Sequence, residues 1–206
     1  IGESMLEREV EKLLKVHSAD MQGLDKKTQM LFKQLEWGIN LGSNTMYLTY
    51  EIDADQLYSV MTRFDNFIQY DDGKKDVNLV ISSYGGDVYA MLGTIDYFNS
   101  LPVKVNTHCI GACMSAAAVI LACGTGKRTM TENSTVMVHE GSAFEMGKTS
   151  DVLKGADHLK KLQTNINRIL GDVTNKSQEF WEDVSKQDTY LTSEECLEYG
   201  IVDEIT

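Results

Sequence analysis

From about residue 44 onward, short apolar runs alternate with longer segments in which apolar residues recur every three or four positions. Short runs of that kind predict β-strands, and the spaced pattern predicts amphipathic helices. The predicted strands are residues 45–50, 77–81, 103–108 and 134–139, and the predicted helices cover residues 57–68, 87–100, 115–122 and about 149–171. Such alternation favours right-handed crossovers and mainly parallel strands, so the predicted fold class is α/β.

The C-terminal part of the chain carries residues that begin and end helices. Ser177 is a favourable N-cap for a short helix, and Thr192 with Glu195 has the spacing of a capping box. Gly200 suits the end of the helix that follows Thr192. We therefore expect two short helices after the long one.

The beginning of the chain has a different pattern from the rest. Leucine and valine recur there at helical spacing among many charged residues, with Gly23 between two such stretches. This predicts a charged helical N-terminal extension over residues 1–43 and a single domain over residues 44–206. A length of 206 residues agrees with one domain rather than two separate cores.

Charge and composition exclude several classes of partner. The chain has 19 Lys and Arg against 31 Asp and Glu, a formal net charge of −12 that repels nucleic acid and anionic lipid. The longest apolar run, residues 116–123, is far shorter than the roughly 20 residues of a membrane span. We expect no nucleic-acid partner, no membrane partner and a cytoplasmic location. Because Cys109 and Cys113 lack the usual spacing of zinc ligands, we expect no metal and no cofactor.

Two candidate sites lie where a strand or loop passes into a helix. Gly85 and Gly86 follow the strand 77–81, where glycines permit a sharp turn and leave backbone N–H groups open to an anion. Ser115 begins an apolar helix among small residues, and the N–H of Ala116 belongs to the first turn of that helix. Taken alone, these are also the features of an ordinary tight turn and of a helix N-cap.

Two further candidates are an imidazole and a carboxylate. His139 ends the strand 134–139 and can act as a general base, and His108, at the end of its own strand, competes for that role. His158 lies in a charged helix and is expected to be solvated. Asp188 lies in a polar turn before the last helix. A hydroxyl, an imidazole, a carboxylate and a glycine turn together are the components of a serine hydrolase.

Four motifs, in order along residues 44–206, resemble those of the Clp protease proteolytic subunit, the ClpP family. The segments that carry this resemblance are Ser83-Tyr84-Gly85-Gly86, residues 109–116, residues 126–139 and residues 188–203. The resemblance implies that Ser115 is the nucleophile, His139 the general base and Asp188 the group that orients the base. It also implies that the N–H groups of Gly86 and Ala116 form the oxyanion hole.

The resemblance implies a ClpP/crotonase-like fold with a protruding handle helix at about residues 149–171. It further implies a serine endopeptidase that cleaves peptides or unfolded proteins inside two stacked heptameric rings, with an AAA+ unfoldase as a candidate partner. The sequence departs from the family pattern at Tyr84, Ala116 and Glu140-Gly141, which border the expected substrate cleft, and in its charged N-terminal segment. Two other functions stay open: a catalytically silent ClpP-like scaffold and a crotonase-like acyl-CoA enzyme.

Overall fold

The computed structural model describes residues 38–142 and 146–206, together with positions 23, 29, 32 and 34. Most of the predicted N-terminal helical segment, residues 1–43, therefore lies outside the described residues. The strands are β1 (Ile39–Asn40), β2 (Thr45–Leu48), β3 (Val77–Ser83), β4 (Val105–Met114), β5 (Arg128–Met130), β6 (Thr135–Val138), β7 (Thr189–Leu191) and β8 (Glu204–Ile205). The helices are α1 (Ala54–Asp71), α2 (Val88–Ser100), α3 (Ala116–Ala122), α4 (Thr149–Val173), α5 (Gln178–Val184) and α6 (Ser193–Tyr199).

The strands form one mixed sheet in which parallel pairing dominates. The order is β1-β2-β3-β4-β5-β8, and β6 pairs with both β4 and β7. Pairing is antiparallel between β1 and β2 and between β6 and β7, and parallel between all other neighbours. The predicted α/β class with a mainly parallel sheet is confirmed.

Strand β4 is longer than the predicted strand 103–108 and changes neighbours along its length. Ile81 of β3 faces Cys109, whereas Ser83 faces Cys113, so β4 carries extra residues in a bulge. Before the bulge β4 pairs with β5, and after it β4 pairs with β6. The bulge therefore carries the end of β4 to the same edge as the end of β6.

The core lies between this sheet and helices α1, α2 and α3. Phe64 and Phe67 of α1 and Phe98 of α2 are fully buried, and the rings of Phe64 and Phe98 stack with centroids 6.0 Å apart. Asp53 and Asp87 cap α1 and α2 by accepting hydrogen bonds from backbone N–H groups of the first helical turn. The cap at Asp87 makes α2 begin directly after the Gly85-Gly86 turn.

Helix α4 corresponds to the predicted handle helix and ends two residues beyond residue 171. Its C-terminal half packs on the protein through Gln163, Asn167 and Leu170, which are buried. Its N-terminal half is mostly exposed, and the side chain of Leu153 is 62% exposed. The helix therefore extends beyond the surface that the described residues provide for it. None of the helices in the described ranges combines the length and the apolar composition that a membrane crossing needs.

Arg128, the first residue of β5, joins the ends of three helices. Its Nη1 donates to the carbonyl oxygens of Ala122 at 3.1 Å, Val173 at 2.8 Å and Gly200 at 2.9 Å. Its other nitrogens bond to the carboxylate of Asp203. Burial by itself would raise the pKa of Asp203, but the hydrogen bonds and the charge of Arg128 outweigh it and lower that pKa.

Candidate active site

The Gly85-Gly86 turn is held in place by Ile52, which lies in the loop before α1. The Ile52 N–H donates to the Gly85 carbonyl at 2.8 Å, and the Asp87 N–H donates to the Ile52 carbonyl at 2.6 Å. In this parallel bridge the N–H and carbonyl of Gly86 itself point away from Ile52. A Cβ on Gly86 would overlap the backbone of Ile52, so the close approach requires glycine.

Ser115 lies between β4 and α3 in an unusual backbone conformation. Its φ is 54° and its ψ is −123°, a combination that a residue with a Cβ rarely adopts. Its N–H donates to the carbonyl of Met137 in β6 at 2.8 Å, which holds the turn against the neighbouring strand. The strained turn presents the hydroxyl of Ser115 at the edge of the sheet.

His139 and Asp188 are brought together by the antiparallel pairing of β6 and β7. Val138 faces Thr189, so the residues one step further, His139 and Asp188, also face each other. His139 Nε2 lies 2.8 Å from Ser115 Oγ, within hydrogen-bond distance. His139 Nδ1 lies 3.6 Å from Asp188 Oδ1, which is an ion-pair distance and longer than a hydrogen bond. The structure thus places all three predicted side chains in one row.

Gly86 and Ala116 border the same cavity as Ser115 and His139. This cavity has a volume of about 380 Å³ and is bounded by the start of α2, the start of α3 and the buried face of α4. Within the described part of the chain, neither the backbone N–H group of Gly86 nor that of Ala116 donates to another protein group. Both are therefore free to bind an oxygen atom placed beside Ser115.

The competing histidine, His108, lies elsewhere in the sheet. Its Nδ1 contacts the hydroxyl of Thr129 at 2.6 Å, in the part of β4 that precedes the bulge. Burial lowers the pKa of His108. Only His139 of these two contacts Ser115, so geometry favours His139 as the base.

Two contacts at this site were not predicted from the sequence. Exposed His158 of α4 is solvated as expected, but its Nε2 also lies 2.7 Å from the hydroxyl of Tyr89 in α2. Gln163 and Asn167 of α4 are hydrogen-bonded to each other and border the cavity. The sequence signal for the second pair was available, because two amide residues four apart interrupt the apolar face of α4. The described residues include no cluster of three or more His, Cys, Asp or Glu side chains that could hold a metal ion.

A comparison with protein families agrees with this fold. The family model described as Clp protease matches residues 8–206. The chain belongs to the Clp protease family. The match to the Clp protease model begins at residue 8, so it includes most of the segment 1–43. The predicted division of the chain at residues 43 and 44 stays a prediction, as do the roles of Ser115, His139, Asp188, Gly86 and Ala116.

Proposed function

We propose that the chain is a serine endopeptidase subunit that hydrolyses peptide bonds of peptides and unfolded proteins. The observation that supports this most directly is the 2.8 Å contact between His139 Nε2 and Ser115 Oγ. It lies at a cavity bordered by Gly86 and Ala116, whose N–H groups have no protein acceptor among the described residues. A nucleophile bonded to its base beside oxyanion donors is the arrangement that acyl transfer requires.

The proposed reaction proceeds through an acyl-enzyme. His139 takes the proton of the Ser115 hydroxyl while Oγ attacks the carbonyl carbon of the peptide bond. The N–H groups of Gly86 and Ala116 stabilise the negative oxygen that develops, and His139 then protonates the leaving amine. In the second half of the reaction, water gives a proton to His139 and attacks the carbonyl carbon of the ester. His139 returns that proton to Ser115 Oγ, and the acid product is released. Asp188 orients the imidazole and stabilises its positive charge.

The proposed active form is a homo-oligomer of two stacked heptameric rings that enclose the sites. Support comes from the exposed N-terminal half of α4, with Leu153 at its surface, and from the exposed tyrosines Tyr50, Tyr58 and Tyr84. Native mass spectrometry is expected to show a tetradecamer. A monomer at micromolar concentration would contradict this part of the proposal.

In this proposal the chain itself uses no ATP, and any ATP use belongs to an AAA+ unfoldase partner. The purified chain is therefore expected to cleave short fluorogenic peptides without ATP. For cleavage, a side chain of the substrate must enter a cavity of about 380 Å³ and the substrate backbone must reach Ser115. A folded protein substrate is therefore expected to need the partner to unfold it.

The test of the chemistry is labelling by a fluorophosphonate, which reacts with activated serine hydroxyls. We expect one adduct on the peptide that contains Ser115, lost in Ser115→Ala and in His139→Ala. Ser142→Ala is the matched control, because Ser142 borders the same cavity but has no described contact with His139. Labelling that survives Ser115→Ala would assign the nucleophile elsewhere.

A catalytically silent scaffold is the second candidate, and the long His139–Asp188 distance of 3.6 Å is the observation that favours it. Its expected result is a stable ring in native mass spectrometry with no fluorophosphonate adduct on the wild-type chain. The peptidase proposal predicts both the ring and the adduct.

A further inference from the structure

Two buried carboxamide side chains lie on the wall of the cavity beside Ser115. Gln163 is 9% exposed and Asn167 is 3% exposed, on a face of α4 whose other cavity-lining residues are apolar or glycine, apart from His158. Burying an amide costs free energy unless its polar atoms are bonded. The contacts of these two amides therefore indicate what the cavity is built to hold.

The direction of the hydrogen bonds through this pair is fixed by the backbone. The N–H of Gly141, two residues after His139, donates to Gln163 Oε1 at 2.8 Å. A backbone N–H can only donate, so the oxygen of Gln163 is identified and its nitrogen must face Asn167. Gln163 Nε2 then donates to Asn167 Oδ1 at 2.9 Å. The Asn167 nitrogen, Nδ2, is therefore the last group in this series of hydrogen bonds.

Asn167 Nδ2 is the last group in that series, and within the described ranges it has no hydrogen bond to a protein acceptor. Asn167 borders the same cavity as Ser115 and His139. A buried amide nitrogen carries two donor hydrogens, and a bound side chain with an oxygen atom can satisfy them. The cavity therefore offers hydrogen-bond donors within largely apolar walls.

We propose that Asn167 selects substrates whose P1 side chain, that of the residue whose carbonyl is attacked, is neutral and accepts a hydrogen bond, glutamine above all. This inference rests on the proposed peptidase function. The two methylene groups of glutamine suit the apolar walls, and its carbonyl oxygen accepts from Asn167.

The charges around the cavity argue against an acidic P1 side chain. The described lining residues include Asp87 but no lysine or arginine. A carboxylate in the cavity would lose hydration without gaining a lysine or arginine as partner. A carboxamide is neutral and avoids that cost. It can also donate to the second lone pair of Gln163 Oε1.

The first test compares two fluorogenic peptides that differ only at P1, where one has glutamine and the other has norleucine. Norleucine has an unbranched chain of similar length without a polar atom. We expect Asn167→Leu to shift the ratio of kcat/KM values from glutamine toward norleucine by about tenfold. Asn165→Leu is the matched control on the same helix, because Asn165 contacts Arg168 and does not border the cavity; the ratio is expected to stay unchanged.

A second variant, Asn167→Asp, keeps the inference testable if Asn167→Leu fails to fold. Asn167→Asp keeps the oxygen that accepts from Gln163 Nε2 but replaces the donor with a second oxygen. This variant is expected to lose the preference for glutamine and to gain cleavage after lysine, whose ammonium group can pair with the new carboxylate. An unchanged preference in both Asn167→Asp and Asn167→Leu would overturn the inference.

A binding experiment separates this inference from the proposed function. In Ser115→Ala, calorimetry measures the binding of product peptides that end in glutamine or in norleucine. Tighter binding of the glutamine peptide, lost in the Ser115→Ala, Asn167→Leu double variant, supports the inference even if the wild-type chain cleaves neither peptide. Equal affinity for the two peptides, or no binding of either, would overturn it. Absence of cleavage and of fluorophosphonate labelling would instead count against the peptidase function.

Discussion

His139 is closer to Ser115 than to Asp188. Its Nε2 lies 2.8 Å from the serine hydroxyl, whereas its Nδ1 lies 3.6 Å from the carboxylate. The side chain of Asp188 is 64% exposed, and that of His139 is 26% exposed. The imidazole and the serine hydroxyl are therefore within hydrogen-bond distance, while the carboxylate lies at ion-pair distance in contact with solvent.

Asp188→Asn is expected to reduce kcat/KM by about 10²-fold, less than the loss in Ser115→Ala. The reason is that the new carboxamide can still face the imidazole of His139 but no longer stabilises its positive charge. Initial rates on a fluorogenic peptide measure this. Asp183→Asn, which changes an 80% exposed carboxylate paired with Lys186, is the control and should leave the rate unchanged. Equal rates for Asp188→Asn and the wild type would remove Asp188 from the mechanism.

Gly85→Ala is expected to lower both activity and stability. Gly85 has a φ of +101°, and an added Cβ would lie 2.8 Å from Met114 O and from Ser115 Cβ. We expect at least a roughly 10²-fold loss of kcat/KM and a loss of about 2 kcal/mol in the free energy of unfolding. The measurements are peptide hydrolysis and urea unfolding.

The control for Gly85→Ala is Gly38→Ala, because Gly38 has a positive φ of +59° and no atom of the described residues lies within 4 Å of the added Cβ. This control measures the effect of backbone strain alone. We expect it to lower the free energy of unfolding by about 1 kcal/mol and to leave activity unchanged. Full activity in Gly85→Ala would show that the turn does not position Ser115.

Asp203→Asn is expected to destabilise the protein more at pH 7 than at pH 3. Arg128 lowers the pKa of Asp203 in the folded state below the unfolded value of about 3.9. The carboxylate therefore stabilises the fold above about pH 4, and this contribution is lost as the pH falls through the folded-state pKa. Urea unfolding at both pH values and one protein concentration measures the difference.

Asp172→Asn is the control for Asp203→Asn, because Asp172 pairs with Arg168 on the surface of α4 and is 61% exposed. Its effect should be small at both pH values. The same loss of stability in Asp203→Asn at pH 7 and pH 3 would contradict the role given to Arg128.

Helix boundaries were the part of the fold that the sequence predicted best. Ser177 caps α5 by accepting from the Phe180 N–H, and Thr192 with Glu195 forms the predicted capping box at α6. These boundaries are set by bonds within four residues, so the local sequence contains them. Strands β5 and β7, of three residues each, were not predicted. They are strands because neighbouring strands pair with them, and three residues alone carry no such signal.

Within the candidate site, the sequence singled out Ser115 and His139 because each follows the end of a strand or begins a helix, where a parallel sheet opens on a cleft. It did not single out Asn167. A polar residue on an apolar helix face normally counts as an interruption of the pattern, and its bond to Gln163 depends on how α4 packs against the turn after His139. That packing is a tertiary property, which periodicity does not contain.

The backbone of Ser115, with φ at 54° and ψ at −123°, lies in a region that glycine occupies without strain. Ser115→Gly is therefore expected to raise the free energy of unfolding by about 1 kcal/mol while it removes the hydroxyl. If Ser115 is the nucleophile, as we propose, stability and activity have opposite preferences at this position. A screen for thermostable variants that ignored activity is therefore expected to accumulate glycine at position 115.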